Sequence, residues 1–301
     1  MTAITTTDDR DALTRFLLQE AGVRGVRVHL EDTWRQIRAR ADYPAAIEEL
    51  LGEACAAAAL FTGHAKVDGR LSVQLRGNGP LRTLFAECTA AGTLRAIAQI
   101  EEGAAFSRDL RHLGENALLV ITIENPGVGD REPVRYQGMV ALEADALAGA
   151  FEGYFRQSEQ LPTRLLLAVE HDRVAGLMLQ KLPGDAGDED GWNRASALFD
   201  TLSTRELLEW PAETLLGRVF PEDTVQVLGT RPLRFACSCS RERVESMLQS
   251  LGEEEALAAA AGGVAEIRCE FCGQQYRFDR DEVEALFRPH GVPVEPPARL
   301  Q

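Results

Sequence analysis

Hydrophobic residues in the first part of the chain recur with two different periods. Spacings of three and four residues predict helices, and alternation with polar residues predicts strands. Helices are predicted at Asp11–Glu20, Thr33–Ala41 with Asp32 as its cap, Ala45–Thr62 and Leu147–Phe155. Strands are predicted at Leu71–Leu75 before a tight turn at Gly77–Pro80, Thr93–Ile100, Ala117–Glu124, Tyr136–Leu142, and at Arg164–Val169 and Ala175–Lys181, which would close the sheet. Strands joined by short turns, with irregularly placed helices, indicate an α+β fold.

The pattern changes at Pro183–Gly191, which reads PGDAGDEDG. Its three glycines, one proline and four acidic residues provide too little apolar surface for this stretch to order by itself. Trp192–Phe220 then has helical spacing that is broken by Pro211 and Pro221. The sequence therefore predicts a mixed helix and sheet domain over residues 1–182, a metastable helical linker over 183–230 and a small C-terminal domain over 231–301.

Composition and charge narrow the class of function. The chain has 47 acidic and 32 basic residues, a net charge of −15, which argues against a surface for nucleic acid or anionic lipid. Its longest apolar run, Ala54–Phe61, is far shorter than the ~20 residues that a membrane helix needs. The N-terminal MTAITTTDDR does not have the pattern of a signal peptide. We therefore expect a cytoplasmic protein, whose thiols are kept reduced.

Four of the six cysteines form two tight pairs, and 29 residues separate the pairs. Cys237 and Cys239 make a CxC motif, and Cys269 and Cys272 make a CxxC motif followed by Gly273, which permits a tight turn. Four thiolates suit tetrahedral Zn²⁺, and zinc would supply folding energy to a fragment with few large apolar residues. Spacing alone favours a permanent structural zinc site.

A redox switch is the alternative interpretation of the same four cysteines. A CxC disulfide closes a very small ring and is therefore easily reduced. Nearby basic residues would favour reactive thiolates, although such residues commonly form a solvated face; these are Arg234, Arg241, Arg243 and Arg268. Cys55 and Cys88 lie in apolar stretches, so both are predicted to be buried core residues.

The cysteine motifs and several other stretches resemble a known family. CSCSRERV and CEFCGQQYRF are similar to the switch motifs of the redox-regulated bacterial holdase chaperones, the 33-kilodalton heat-shock protein family. The likeness extends over essentially the whole chain, through DYPAAIEELLGEA, VQLRGNGP, RYQGMVALE and YFRQSEQLPTR. It implies that Cys237, Cys239, Cys269 and Cys272 hold one Zn²⁺ per chain in the reduced protein.

The same resemblance implies how the protein works. It implies an ATP-independent chaperone that is inactive while zinc is bound. Oxidation would form the disulfides Cys237–Cys239 and Cys269–Cys272, release zinc and unfold the linker, which would expose apolar surface to unfolding client proteins. It also implies a homodimer when oxidised and a hand-over of clients to an ATP-dependent foldase.

Two other functions remain as alternatives from the residues alone. The first is a zinc ribbon with constitutive zinc that binds nucleic acid or protein, but residues 231–288 hold eight arginines against eleven acidic residues, which is the wrong sign for phosphate. The second is an enzyme. The five histidines have no metal-ligand or triad spacing, and Gly77–Gly79 is not followed by the Gly-Lys-Ser/Thr of a phosphate-binding loop. We therefore predict a protein that is not an enzyme.

Overall fold

The chain folds into two compact units that divide between Cys237 and Ser238. The fold is that of a computed structural model, which describes residues 9–114, 116–127, 129, 132–184 and 187–288. The first unit contains two sheets, one with the strand order β10-β1-β2-β9-β8 and one with the order β11-β5-β4-β3-β6-β7. All their pairings are antiparallel except the parallel contact of β11 with β5.

The strands and helices have the following bounds. The strands are β1 Ala12–Leu18, β2 Val23–Leu30, β3 Arg70–Arg76, β4 Leu81–Thr89, β5 Thr93–Ile100, β6 Leu118–Asn125, β7 Val134–Val140, β8 Thr163–Glu170, β9 Arg173–Lys181, β10 Val225–Pro232, β11 Arg234–Phe235, β12 Val264–Arg268 and β13 Gln275–Asp279. The α-helices are α1 Asp32–Arg38, α2 Ala45–His64, α3 Leu147–Tyr154, α4 Gly191–Phe199, α5 Thr204–Glu209, α6 Ala212–Val219, α7 Arg241–Leu251, α8 Glu253–Ala259 and α9 Arg280–Leu286. A 3₁₀ turn lies at Leu110–His112, and a π turn at Phe155–Glu159 extends α3.

Helix α2 forms the centre of the first unit because it is apolar on every side. All its residues from Leu50 to Gly63 are buried, and it packs against strands of both sheets. Small residues allow this close approach. A Cβ at Gly176 on β9 would lie 2.7 Å from Cδ1 of Leu60, so a larger residue there would require the Leu60 side chain to move.

The predicted helix at Asp11–Glu20 is wrong, because this segment is strand β1. Leu13, Phe16 and Leu17 have helical spacing, but β1 lies between β10 and β2 and is covered on both faces. A strand buried on both faces does not show polar alternation, which removes the sequence signal.

Strands β2, β4 and β10 of the first unit were not predicted. The strands of this unit also form two sheets, where the sequence predicted one.

The predicted second helix exists as α1, but its predicted cap is wrong. Glu31 occupies the N-cap position and makes no side-chain capping bond. The carboxylate of Asp11 instead accepts hydrogen bonds from the backbone N–H groups of Glu31, Asp32 and Thr33, at 3.1, 2.8 and 2.8 Å. A residue from the start of β1 thus satisfies the free donors at the start of the helix.

Helices α4, α5 and α6 cover the outer face of the five-stranded sheet. The sheet contributes Phe16, Leu18 and Leu177 to this apolar layer. The helices contribute the buried side chains of Phe199, Leu207, Leu208, Leu215, Leu216, Val219 and Phe220. The predicted break at Pro211 is confirmed, since α5 ends before it and α6 begins after it. Whether residues 183–230 form a separable linker, and whether 1–182 and 231–301 are its flanking domains, stay predictions.

The second unit has a much smaller core. Strands β12 and β13 form an antiparallel pair, and α7, α8 and α9 pack with them. Its buried apolar cluster consists of Val244, Leu248, Ala256, Ala260, Ala265, Phe278 and Val283. Arg241 lies 4.1 Å from the ring centre of Phe278 and pairs with Glu282 at 2.7 Å, which covers one side of this core.

Candidate metal centre

Four cysteine side chains meet at one point. Cys237 follows β11, Cys239 precedes α7, and Cys269 and Cys272 lie in the turn between β12 and β13. Their Sγ atoms all lie within 4.8 Å of one another, and those of Cys239 and Cys272 are 3.3 Å apart. All four side chains are half-buried, and none is in a disulfide. The structure therefore brings together the four residues that the sequence singled out.

The spacing of the sulfur atoms fits a tetrahedral metal ion. Zn–S bonds of about 2.3 Å place the corners of a regular tetrahedron about 3.8 Å apart. The Sγ atoms of Cys239 and Cys272 are 3.3 Å apart and all four lie within 4.8 Å of one another, distances on either side of this value. A disulfide would instead need two sulfur atoms about 2.05 Å apart. The cluster could therefore hold a metal ion.

The CxxC half is a tight turn held by its own backbone. The N–H of Gly273 donates to the carbonyl of Cys269 at 2.7 Å, and the N–H of Cys269 donates to the carbonyl of Gln274 at 2.9 Å. Gly273 has a φ of +73°, a value that favours glycine. The expected role of this glycine is confirmed.

The CxC half is held by the start of helix α7. Ser240 caps the helix, since its hydroxyl accepts a hydrogen bond from the N–H of Arg243 at 3.3 Å. The guanidinium of Arg243 donates to the carbonyl of Ser238 at 2.8 Å, between the two cysteines. This arginine therefore orients the CxC backbone.

Tyr276 is a neighbour of the site that the sequence did not reveal. Its hydroxyl donates a hydrogen bond to Sγ of Cys239 at 3.2 Å. This bond, with burial and the other sulfur atoms, raises the pKa of Tyr276 to about 12. A donor of this kind stabilises a thiolate and orients it. The sequence signal was weak, because one tyrosine in an alternating strand is ordinary.

Arg95 on β5 is a second neighbour, in contact with Cys237. Burial lowers the pKa of Arg95, but hydrogen bonds and charge from Glu87 and Cys237 outweigh it, so the pKa is raised. Arg95 and Glu87 form an ion pair at 2.9 Å with both side chains largely buried. The guanidinium thus joins Cys237 to the six-stranded sheet, from a position that motif spacing could not suggest.

Cys55 and Cys88 lie away from the cluster, in the apolar core around α2. Burial raises the pKa of both thiols, that of Cys88 to about 11. A thiol with a raised pKa forms little of the reactive thiolate. The prediction that both are buried core residues is confirmed.

Polar contacts also connect the five-stranded sheet to the helices that cover it. The buried guanidinium of Arg27 donates to Asp9 at 2.7 Å and to the carbonyl of Trp210 at 2.6 Å. The same carboxylate accepts from the N–H of Ala212 at 2.6 Å. Nε2 of His29 lies 3.1 Å from the carbonyl of Leu208, and burial together with Arg27 lowers the pKa of His29. A neutral His29 therefore donates to this carbonyl.

Comparison with known proteins identifies the family. The family model described as Hsp33 protein matches residues 11–279. The chain belongs to the Hsp33 family. It is 43% identical over 282 residues to a 33 kDa chaperonin of Hahella chejuensis, which covers 92% of this chain and 97% of the relative. It is 40% identical over 281 residues to a 33 kDa chaperonin of Nitrosococcus oceani, covering 93% and 95%.

A solved structure confirms the predicted fold class. The crystal structure of a 33 kDa chaperonin, a heat shock protein 33 homologue from Thermotoga maritima, superimposes with a TM-score of 0.75 at 22% sequence identity. The match covers 92% of this chain and 97% of that one. This likeness shows the mixed helix and sheet fold.

Family membership decides between the functions that the residues left open. This Hsp33-family chain is a redox-regulated chaperone, and the zinc-ribbon alternative is not favoured. Its relatives are named chaperonins, which agrees with the prediction that it is not an enzyme. In the part of the chain that the structure describes, no helix is long and apolar enough to cross a membrane.

Proposed function

We propose that this protein is an ATP-independent holdase that binds thermally unfolding and oxidatively damaged client proteins in the cytoplasm. The reduced form is inactive, and the oxidised form acts as a homodimer and hands its clients to an ATP-dependent foldase. Neither nucleic acid nor a membrane is a partner. The observation that carries the proposal is the convergence of four cysteine Sγ atoms within 4.8 Å of one another in a chain of this family.

In the reduced form, Cys237, Cys239, Cys269 and Cys272 hold one Zn²⁺ per chain as thiolates. The ion would supply folding energy to the second unit and would be held by the sulfur atoms as thiolates. Tyr276 donates a hydrogen bond to Cys239 and Arg95 contacts Cys237, so the protein orients two of the four sulfur atoms itself.

Oxidation pairs the cysteines within each motif. Two thiols and one hydrogen peroxide give one disulfide and two waters, so Cys237–Cys239 and Cys269–Cys272 together consume two peroxides. Each pair needs only local backbone adjustment, whereas pairing between motifs requires the ordered cluster to persist while its ligands are consumed. Forming both disulfides removes all four metal ligands, and zinc is released.

The loss of zinc then destabilises the linker, because the linker precedes Cys237 in the chain. Oxidised Cys237 no longer offers Arg95 a thiolate, and the two-residue strand β11 that precedes Cys237 loses one of its anchors. Strand β10 and helices α4 to α6 come next along the chain. These helices have nine, six and eight residues, which is too short for stability away from the sheet. Their departure would uncover the apolar face around Phe16 and Leu177 to clients.

An aggregation assay tests this function. A thermally unfolding client is heated without ATP in the presence of reduced zinc-bound protein, peroxide-treated protein, or peroxide-treated protein that has been reduced again with zinc. We expect suppression of aggregation by the oxidised form alone. Equal suppression by the reduced and oxidised forms would contradict redox control, and no suppression by either would contradict the holdase.

Peptide mapping of the oxidised protein tests the pairing. We expect Cys237–Cys239 and Cys269–Cys272, with Cys55 and Cys88 as thiols because burial raises their pKa. Predominant links between the motifs, or links to Cys55 or Cys88, would refute the proposed chemistry.

A further inference from the structure

A cleft with unpaired cationic side chains lies where helix α2 ends. Its cavity has a volume of about 530 Å³, within the range of small-molecule sites. The lining side chains come from β1, β2, β10 and the segment after α2, all in the first unit. Helix α2 ends at His64, and beyond it the face of the five-stranded sheet that α2 covers elsewhere is open.

Four cations line this cleft, three from that face of the sheet and one from the segment after α2. Arg15 and Leu13 lie on the same side of β1, Arg24 and Val26 on the same side of β2, and Arg231 is the register partner of Leu13. Leu13 and Val26 belong to the core against α2, so the three arginines point to the side where α2 ends. The fourth cation, Lys66, follows the helix directly, and all four line the cavity.

None of these cations forms an ion pair with a carboxylate among the described residues, and the charge of Glu159 acts on the pKa of Arg24 only as a minor influence after burial and Arg15. Arg24 donates to His64 at 2.9 Å and to Gln180 at 2.5 Å, and Arg231 donates to the carbonyl of Ala90 at 2.9 Å. All these partners are neutral, because burial and the charge of Arg24 lower the pKa of His64 to about 3. The Nε atom of Arg24 and the Nε and Nη2 atoms of Arg231 are buried without a protein partner.

The positive charge of this cleft does not follow from the overall composition, because the chain is rich in acidic residues. Acidic residues outnumber basic ones by 47 to 32 across the chain, yet Asp68 is the one carboxylate in the cavity lining. The C-terminal end of α2 contributes about half of one negative charge, which offsets only a small part of four cations. The buried guanidinium N–H groups that have no acceptor are unfavourable unless something with several oxygen acceptors completes the site.

We propose that this cleft binds a small oligophosphate, with Arg15, Arg24, Lys66 and Arg231 as its charge partners. Guanidinium groups bind phosphate oxygens with paired hydrogen bonds, and four cations match a ligand with several adjacent negative charges. The pairing of β10 with β1 also favours anion binding. Gly229 lies opposite Arg15, so no side chain at that position blocks the approach of an anion to Arg15.

The position of the cleft gives the bound anion a regulatory consequence, which rests on the proposed function. Arg231 and Thr230 lie on β10, at the end of the segment whose release would activate the protein, whereas Arg15, Arg24 and Lys66 lie outside that segment. An oligophosphate that binds both sides would hold β10 against β1. It would therefore favour the inactive form by mass action.

Titration calorimetry of the full-length, reduced, zinc-loaded protein tests the site, with tripolyphosphate as the probe at low ionic strength. The decisive variant is Arg15→Glu/Lys66→Glu, because both side chains are exposed and neither makes a side-chain hydrogen bond or ion pair with another described residue. The matched control is Arg76→Glu/Arg156→Glu, which changes the net charge equally at exposed positions outside the cleft. A dye that binds free zinc checks that the probe does not withdraw the metal.

We expect one saturable site per chain in the wild type, an affinity at least tenfold lower in the cleft variant, and a change of less than about twofold in the control. Equal weakening in both variants, or no saturable binding, would overturn the proposal. A parallel titration with ATP distinguishes a free oligophosphate from a nucleotide as the ligand. Affinity equal to or below that of tripolyphosphate assigns a free oligophosphate, and tighter binding assigns a nucleotide through the same phosphates.

Hydrogen exchange of the reduced protein tests the coupling to β10. With tripolyphosphate, the amides of Val225–Pro232 should exchange at least threefold more slowly in the wild type and the control, but not in the cleft variant. Unchanged exchange with demonstrated binding would remove the regulatory consequence. Both measurements use the reduced protein, so failure of the holdase assay would leave the binding result standing.

Discussion

The two compact units of this protein are stabilised in different ways. The first unit surrounds the buried helix α2 with two sheets and contains large buried side chains such as Trp34, Phe61 and Phe151. Among residues 238–288 of the second unit, the buried apolar cluster has seven members, of which Phe278 is the one aromatic residue. A core of that size does not usually sustain a fold without a metal or a cross-link.

This difference teaches where a redox signal can act. Removing the metal ligands should unfold the second unit and leave the core of the first unit intact. The local stability of helices α4 to α6 should be intermediate between those of the two units. The helices are short, but they contribute many buried residues to the apolar layer that they share with the sheet. Under the proposed function, the protein would release this layer of helices and keep the stable sheet surface behind it.

The largest effect is expected from Cys269→Ser. Zinc supplies about 10–16 kcal/mol to small zinc domains, and losing one of four ligands removes a large part of that. We expect the second unit to lose its protection, zinc binding to weaken and the reduced protein to become partly active as a holdase. Calorimetric unfolding and zinc competition measure this. The control is Ser238→Ala, at an exposed position in the other cysteine motif, which should leave unfolding and zinc binding unchanged. A Cys269→Ser protein that stays fully folded and has no holdase activity when reduced would contradict the account.

The next largest effect is expected from Leu207→Ala in the helical layer. Leu207 is fully buried against the sheet, and such truncations cost about 2–5 kcal/mol. The layer should then leave at a lower peroxide dose, which the aggregation assay measures as a shifted half-activation dose. Leu228→Ala on β10, at a side chain that is 50% exposed, is the control. The same shift in both variants would mean that this layer does not set the threshold.

A smaller effect is expected from Tyr276→Phe. The change removes the hydrogen bond to Cys239 and keeps the ring, at a cost of about 1 kcal/mol. Zinc affinity, measured by chelator competition, should fall by roughly fivefold while the disulfide pairing stays the same. An unchanged affinity would show that the hydroxyl does not support the thiolate.

The smallest effect is a pH dependence from His29. Its pKa is lowered in the folded protein from an ordinary value of 6.5, so the released state binds more protons as the pH falls below that value. The contact with Leu208 is therefore fully stable above about pH 6.5 and weakens below it. Protection of α5 from hydrogen exchange, corrected for intrinsic rates, should decrease between about pH 7.5 and 5.5 in the wild type and less in His29→Gln. An equal decrease in both would exclude His29.

The four cysteines were predictable from the sequence because their chemistry is encoded in short spacings. The two supporting residues were not, since Tyr276 reaches the cluster from a strand and Arg95 from the distant six-stranded sheet. Nothing in local sequence marks either one. The charged cleft was hidden for the same reason, because Arg15, Arg24 and Arg231 meet only through the pairing of β1 with β2 and β10.

The fold was predictable where one face of an element is buried and the other is solvated. Strand β3 alternates cleanly and was found, as was the helix α2. Strands β1 and β2 are covered on both faces and have no such alternation, so their sequence resembled a helix or gave no signal. Tertiary packing, which local spacing does not record, decided those segments.

Hydrogen exchange during oxidation tests the central claim most directly. The full chain is treated with peroxide at mildly elevated temperature, and protection is followed along the sequence. The account predicts that residues 238–288 and 191–232 lose protection early, while β2, β9 and α2 stay protected. Uniform protection of 191–232 in the reduced and oxidised proteins, or simultaneous loss in α2, would contradict it.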